Sequence, residues 1–249
     1  MENQRSSGGG IVQLRDAAIR CGGNPSAIQQ IMRSCYDTGL LPRDNYGRTR
    51  GAVIDGWWAG AFAIACTIPV TRREVPTKVR QAARLRLVTR RKVTTIRRQV
   101  GDTLLPVGEE HTVVHVDPNE GYADFLHQLA VLIEWSATNG RARTEGELGG
   151  FEVAASLSDA RILWASGSAH VYEPPPGTRI TIPQHHRWAA FETVGRANAA
   201  FIAELGEVVA ANRREAERLG ISISSDELLR ELGYEAPASL ESVLWSDTE

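Results

Sequence analysis

At 249 residues, with 42% hydrophobic and 23% charged residues, the chain has an ordinary globular composition and room for two modest domains. It carries 28 basic and 30 acidic residues, a net charge of −2, and no apolar run reaches the ~20 residues needed to cross a bilayer. That argues against a membrane-spanning helix. The three cysteines, Cys21, Cys35 and Cys66, form no Cys-x-x-Cys pair, so reduced and mostly buried thiols are expected.

Residues 1–10, with Ser6-Ser7-Gly8-Gly9-Gly10, read as a flexible leader. They hold no apolar signal core, which predicts a cytoplasmic protein. Val12, Leu14, Ala17, Ala18 and Cys21 then recur close to helical spacing. Gly22-Gly23-Asn24 ends that helix, and Pro25 with Ser26 starts the next. The second helix, 26–38, buries Ile28, either Ile31 or Met32, and Cys35, with Gly39 as its C-cap. Leu40 and Leu41 return to the core, and residues 43–51 make a short basic turn, or wing. A third helix over 53–67, rich in alanine and carrying Trp57, Trp58 and Phe62, is expected to cover the first two.

Pro69 and Pro76 bracket a boundary. Residues 77–87 suit a helix with Val79, Ala82, Ala83 and Leu87 inward. Over 88–100 the β-branched residues favour strand or loop as much as helix. A second domain begins near residue 110, with a strand at 111–117 and an amphipathic helix at 121–136 that buries Phe125, Leu126, Leu129, Leu132 and Ile133. Strands follow at 151–157, 160–165 and 170–172. Pro174-Pro175-Pro176-Gly177 is a rigid loop, and a fourth strand is predicted at 179–182. A long helix over 188–212 precedes an acidic tail.

The expected fold is therefore α+β. Residues 11–69 form a winged helix-turn-helix domain, 70–109 a basic linker or extension, 110–212 a small α+β dimerisation or interaction domain with a long C-terminal helix, and 213–249 an acidic tail. Charge follows the same division. Eleven basic residues stand between Arg72 and Arg98 against the single Glu74, while eleven carboxylates and four arginines lie from Glu204 onward. So many neighbouring cations repel one another unless an anion neutralises them; nucleic acid is the first candidate, and the acidic tail of the same chain or of a dimer mate the second. The run has no aromatic residues to stack single-stranded bases, which points to a duplex.

A helix-turn-helix needs a small residue where its helices cross, a break between them and a polar outer face on the second helix. Ala18 and Gly22 supply the first two. Ser26, Ala27, Gln29, Gln30, Arg33 and Ser34 point outward on the second helix; glutamine matches adenine and arginine matches guanine in the major groove. The first turn of this helix is expected to offer free backbone N–H groups to a phosphate. Arg43, Arg48 and Arg50, braced by Tyr46, form the wing, and Arg72, Arg73, Arg90, Arg91 and Lys92 complete the expected phosphate contacts.

The residues Ala17-Ala18, Gly23, Ile28, Gly39-Leu40-Leu41-Pro42-Arg43 and Tyr46-Gly47-Arg48 give this segment a resemblance to the winged-helix heads of the mercury-resistance regulator (MerR) class and of phage excisionases. More loosely, the chain resembles DNA-binding regulators encoded by bacterial prophages, which join such a head to a small α+β region. The resemblance implies sequence-specific binding of double-stranded DNA, transcription regulation and a homodimer. Gln29-Gln30 stands where the MerR class has a tyrosine pair and an acidic residue, and no long coiled coil follows. The resemblance therefore implies no MerR-type effector. A terminase-like or recombination accessory factor, or a protein–protein interaction module, is the alternative.

Other signals point away from catalysis. There is no glycine-rich phosphate loop with Lys-Ser/Thr and no Gly-x-Ser-x-Gly elbow, and Asp16, Asp37 and Asp55 are too dispersed for a two-metal nuclease. His111 and His115 sit in a β-like alternation, and His185-His186 in a loop, so surface histidines rather than zinc ligands are expected. No cofactor, no metal and no enzymatic activity are predicted. Leu240, Val243, Leu244 and Trp245 in the tail are a candidate docking peptide for a protein partner.

Overall fold

Apolar and small residues at Ile11, Leu14, Ala17 and Ala18 form one buried stripe, and this stretch is the helix α1 (Gly10–Arg20). The structure is a computed structural model and describes residues 10–42, 53–100, 103–116, 124–178, 193–220 and 226–232. The expected wing with Arg43, Tyr46, Arg48 and Arg50 lies outside these, as do the strand at 179–182, His185-His186 and the tail peptide. Helix α2 (Pro25–Asp37) starts on Asn24, whose side chain caps it, with Pro25 in the first turn where a missing N–H costs nothing. It ends in a Schellman turn: Leu40 N–H donates to the Cys35 carbonyl (2.9 Å) and Gly39 N–H to that of Tyr36 (3.3 Å), with Gly39 at φ +73°. Met32, rather than Ile31, takes the fully buried position on α2.

Helix α3 (Gly56–Thr67) is capped by Asp55, which accepts from the N–H groups of Trp57 and Trp58. It is apolar on every side, and every residue in it but Cys66 is buried. Such a helix belongs in the middle of a helical layer rather than on its surface. It packs against α1 and α2, against α4 (Val75–Ala83), and against α5 (Phe125–Asn139) and α7 (Ala199–Leu219).

The sheet has six strands, every neighbour antiparallel, in the order β2 (Thr103–His115), β1 (Arg86–Val100), β5 (Ala169–Glu173), β4 (Ala160–Trp164), β3 (Leu148–Ala154), β6 (Val194–Asn198). Short α6 (Arg141–Glu147) leads into β3. The first turn of α5 closes the sheet against the helices. Phe125 places its ring 5.3 Å from that of Tyr172 on β5 and 6.1 Å from that of Phe151 on β3. Helices α5 and α7 touch where Gly206 meets Ser136; a Cβ on Gly206 would lie 2.5 Å from the serine oxygen.

The architecture is α+β as expected, with four differences. Residues 70–109, expected as a basic linker or extension, hold α4, all of β1 and part of β2. Residues 194–198 are strand β6, not part of a long helix; the helix waits for Asn198, whose Oδ1 accepts from Phe201 N–H at 3.1 Å. Residues 213–232 hold the end of α7 and α8 (Asp226–Leu232), whose Leu228, Leu229 and Leu232 are buried, so this part is no solvated tail. Finally, one hydrophobic cluster runs from Ile11 to Leu232, through both halves of the chain. Burial of α3 beneath α5 and α7 makes the described residues share a core. No helix among them is long and apolar enough to cross a membrane.

Candidate nucleic-acid interface

The turn between α1 and α2 depends on two glycines that do different things. Gly22 adopts φ +93°, the left-handed region that a side chain disfavours, and has open space around it. Gly23 has an ordinary φ but no room, since a Cβ would sit 2.7 Å from the Ala18 carbonyl oxygen and 3.1 Å from Ile28 Cγ1. Gly23, rather than Gly22, is thus the residue that lets the two helices approach.

Helix α1 is held from below by α7. Glu204, nearly buried on α7, accepts from Arg20 at the end of α1 (2.6 Å) and from Arg141 of α6, which also reaches Glu207 at 3.0 Å. Burial alone would raise the Glu204 pKa, but the hydrogen bonds from Arg20 and Arg141 outweigh it and hold the carboxyl below its ordinary range. A second polar node lies nearby. Asn212 of α7 donates to Gln13 of α1 (2.8 Å) and to the Val208 carbonyl (2.8 Å), and accepts from Ile54 N–H (3.4 Å). These bonds fix α1, and the chain entering α3, on one helix.

Helix α2 is the outer member of the group. Ile28, Met32 and Cys35 bury one side of it, and Ser26, Gln30, Arg33 and Asp37 lie exposed at offsets of four, three and four residues along the other. From Ser26 to Arg33 this stripe covers about 10 Å of helix, or roughly three base-pair steps. Gln29 and Ser34 are half-buried instead. Ser34 Oγ donates to the Arg72 carbonyl at 3.2 Å, which ties the turn before α4 to the flank of α2. Arg72 and Arg73 are thereby brought beside the exposed stripe; both are exposed. Neither they nor Arg33 make an ion pair or side-chain hydrogen bond among the described residues.

One expected feature of α2 is corrected. Its first turn has no free donors: Ser26 and Ala27 N–H bond Asn24 Oδ1 at 3.0 and 3.1 Å, and Ile28 N–H bonds the Asn24 carbonyl at 2.9 Å. The asparagine cap already satisfies what a phosphate would have taken. Any phosphate contact near this helix must come from side chains.

The run of eleven cations divides into three parts. Arg72 and Arg73 flank α2. Four are engaged or covered within the fold: Lys78 is buried, Arg80 donates to the Thr38 carbonyl (2.8 Å), Arg84 donates to the Leu232 carbonyl at the end of α8 (3.0 Å), and Arg86 lies 3.9 Å from Asp124. The last part is carried by β1. Arg90, half-buried, pairs in register with Val114 on β2 and His170 on β5 at the root of the β1–β2 hairpin. Arg91, Lys92, Arg97 and Arg98 follow on the same strand, all exposed and without an ion pair among the described residues. Alternation marked the strand at 111–117, which falls at the end of β2, but periodicity did not pair it with β1, for which the β-branched residues over 88–100 were the signal.

The remaining candidates fall elsewhere. His111 and His115 are exposed on β2, with His111 Nε2 3.7 Å from a Glu109 oxygen. Among the described residues no three His, Cys, Asp or Glu side chains come together as a metal site requires. Burial pushes the Cys35 thiol up to about 12 and that of Cys66 well above its ordinary value, which makes both poor nucleophiles. No protein-family model matches the chain, and neither does any curated protein or solved structure.

Proposed function

We propose that the chain is a sequence-specific double-stranded DNA-binding protein, a transcription regulator of prophage type. In this reading α1 and α2 are a winged helix-turn-helix head that lays α2 in the major groove. The observation that carries it is the stripe Ser26, Gln30 and Arg33, exposed on a helix anchored along its other side and flanked by Arg72 and Arg73. Arg33 supplies a fork suited to guanine and Gln30 an amide suited to adenine. Arg72 and Arg73 supply sequence-independent contacts to phosphate. Asp37, at the far end of the stripe, would be repelled by phosphate, so the contact is confined to the first part of α2. A stripe of three base-pair steps cannot specify an operator alone, and binding as a homodimer to two half-sites supplies the rest.

The test separates the two kinds of contact. Arg33→Ala is expected to cost about 1–3 kcal/mol of discrimination at one base position, roughly 5- to 150-fold, with little change on random duplex. The double variant Arg72→Ala/Arg73→Ala should weaken binding to every duplex and lower the salt slope by about 1.8. Selection of bound fragments from random duplex, followed by affinity measurement over a salt series, reads both. If the double variant changes preference while Arg33→Ala changes nothing, α2 is not the reading helix.

A further inference from the structure

The β1–β2 hairpin outruns the sheet that holds it. The last residue of β1 paired with β5 is Arg91, opposite Ala169, and Val93 N–H still donates to Ser168 Oγ at 3.1 Å. Beyond that support β1 pairs only with β2, and β2 is the edge of the sheet. Every described side chain in 94–99 and 106–115 is exposed, so the ribbon has solvent on both faces. From Lys92 to Val100 it extends about 30 Å. A two-stranded ribbon gains little stability by itself in water. It nevertheless carries Ile96, Val107, Val113 and Val114, four of the six large hydrophobic residues exposed among the described ones. The four are spread over both strands and both faces, so they form no single apolar patch that would suit a protein partner.

Charge identifies which partner. The ribbon holds two cation pairs, Arg91-Lys92 at the root and Arg97-Arg98 toward the tip, none of them neutralised among the described residues. Lys92 and Arg98, on the same face of the strand, are six residues apart, about 20 Å along an extended strand. Between them the polar middle pairs Thr94 with Glu110 and Thr95 with Glu109. We propose that this hairpin is a second DNA-contacting arm that crosses a major groove, with Arg91-Lys92 on one phosphate rim and Arg97-Arg98 on the other. A groove about 12 Å wide admits a two-stranded ribbon, and the spacing of the cation pairs straddles it. With the face that carries Lys92, Thr94 and Arg98 turned to the duplex, Glu110, opposite Thr94, faces base edges, where a carboxylate accepts from cytosine, while Glu109 lies on the face turned away, beside His111. The irregularity between Ile96 and Arg97, which leaves Val107 unpaired opposite them, bends the ribbon just before the outer cation pair.

The inference rests on the duplex reading above, and its test keeps the two apart. Arg97→Ala/Arg98→Ala alters two exposed side chains that bond nothing described, so the fold should be retained, as circular dichroism would check. Binding of the full chain to duplex is measured from 50 to 200 mM salt for wild type, this variant and Arg33→Ala, with hydroxyl-radical footprints of each complex and the mass of each free protein. The arm variant should lower the salt slope by about 1.8, so that wild type loses about tenfold more affinity than the variant over this range. It should lose one patch of backbone protection while the patch assigned to α2 stays. An unchanged slope and footprint overturns the arm while leaving the α2 head standing. A change in the mass of the free protein with unchanged footprint overturns it too, because the ribbon would then join copies of the chain. If wild type shows no salt-dependent binding, the duplex reading falls and the arm with it.

Discussion

Replacing Gly23 by alanine is expected to force α1 and α2 apart from inside their turn. The new Cβ would lie 2.7 Å from the Ala18 carbonyl oxygen and 3.1 Å from Ile28 Cγ1. That oxygen cannot simply withdraw, because Gly23 N–H donates to it at 3.0 Å. The strain therefore passes to Ile28 and shifts α2 relative to α1. Overpacking on this scale costs about 1–3 kcal/mol. Gly22 is the control. Its Cβ would meet nothing within 4 Å, but its φ of +93° charges any side chain about 1–2 kcal/mol of backbone strain. Both variants should lower the urea midpoint by similar amounts, with the slope of the transition unchanged. Duplex affinity, measured where both are folded, should fall for Gly23→Ala and hold for Gly22→Ala. A Gly23→Ala protein as stable as wild type would refute the close approach of the two helices.

Glu204→Gln probes the link between α1 and α7. Because the folded-state pKa of Glu204 is depressed, its contribution is present above the ordinary carboxyl range and is lost as pH falls through the folded value. The variant should lose about 1 kcal/mol at neutral pH, a figure discounted because Arg20 and Arg141 are both well exposed and can rehydrate. Its stability should also fall less than that of wild type below about pH 4.5, and identical acid limbs would show that Glu204 is not ionised in the fold. The thiols offer an independent check on the core. In the native protein buried Cys35 should resist iodoacetamide at mildly alkaline pH and react only on unfolding, while half-buried Cys21 reacts first. Peptide mass spectrometry reads the order, and early labelling of Cys35 would contradict the packing of α2.

Elements with strong local signals were legible from the chain. The Gly-Gly-Asn-Pro break, Gly39 and the apolar stripes place α1 and α2 within a residue or two, and Phe125, Leu126, Leu129 and Leu132 mark α5. The hairpin was not, for a physical reason. With both faces of the ribbon in water, residues 92–100 need no alternation of apolar and polar side chains, and the period-2 signal is missing. Strand β6 has only Ala197 buried, and Gly195 comes so close to the Thr67 carbonyl that no side chain fits there. Neither fact is local. Asn198 was the one available clue, a capping residue directly before an apolar helical run. The start of helix α4 was also hard to read within the expected linker or extension, since prolines mark a helix start as readily as a boundary. For the candidate interface, the stripe on α2 followed from spacing, but the employment of Arg80 and Arg84 inside the fold depends on partners 42 and 148 residues away.

Equilibrium binding of the full chain to random-sequence duplex over a salt series tests the central claim most directly. Six unneutralised cations, Arg72, Arg73, Arg91, Lys92, Arg97 and Arg98, are assigned to phosphate. At about 0.9 counterions released per contact, log K should fall linearly against log salt with a slope of about −5 per bound chain. Failure to bind at low salt, or an affinity that does not move with salt, would contradict the account.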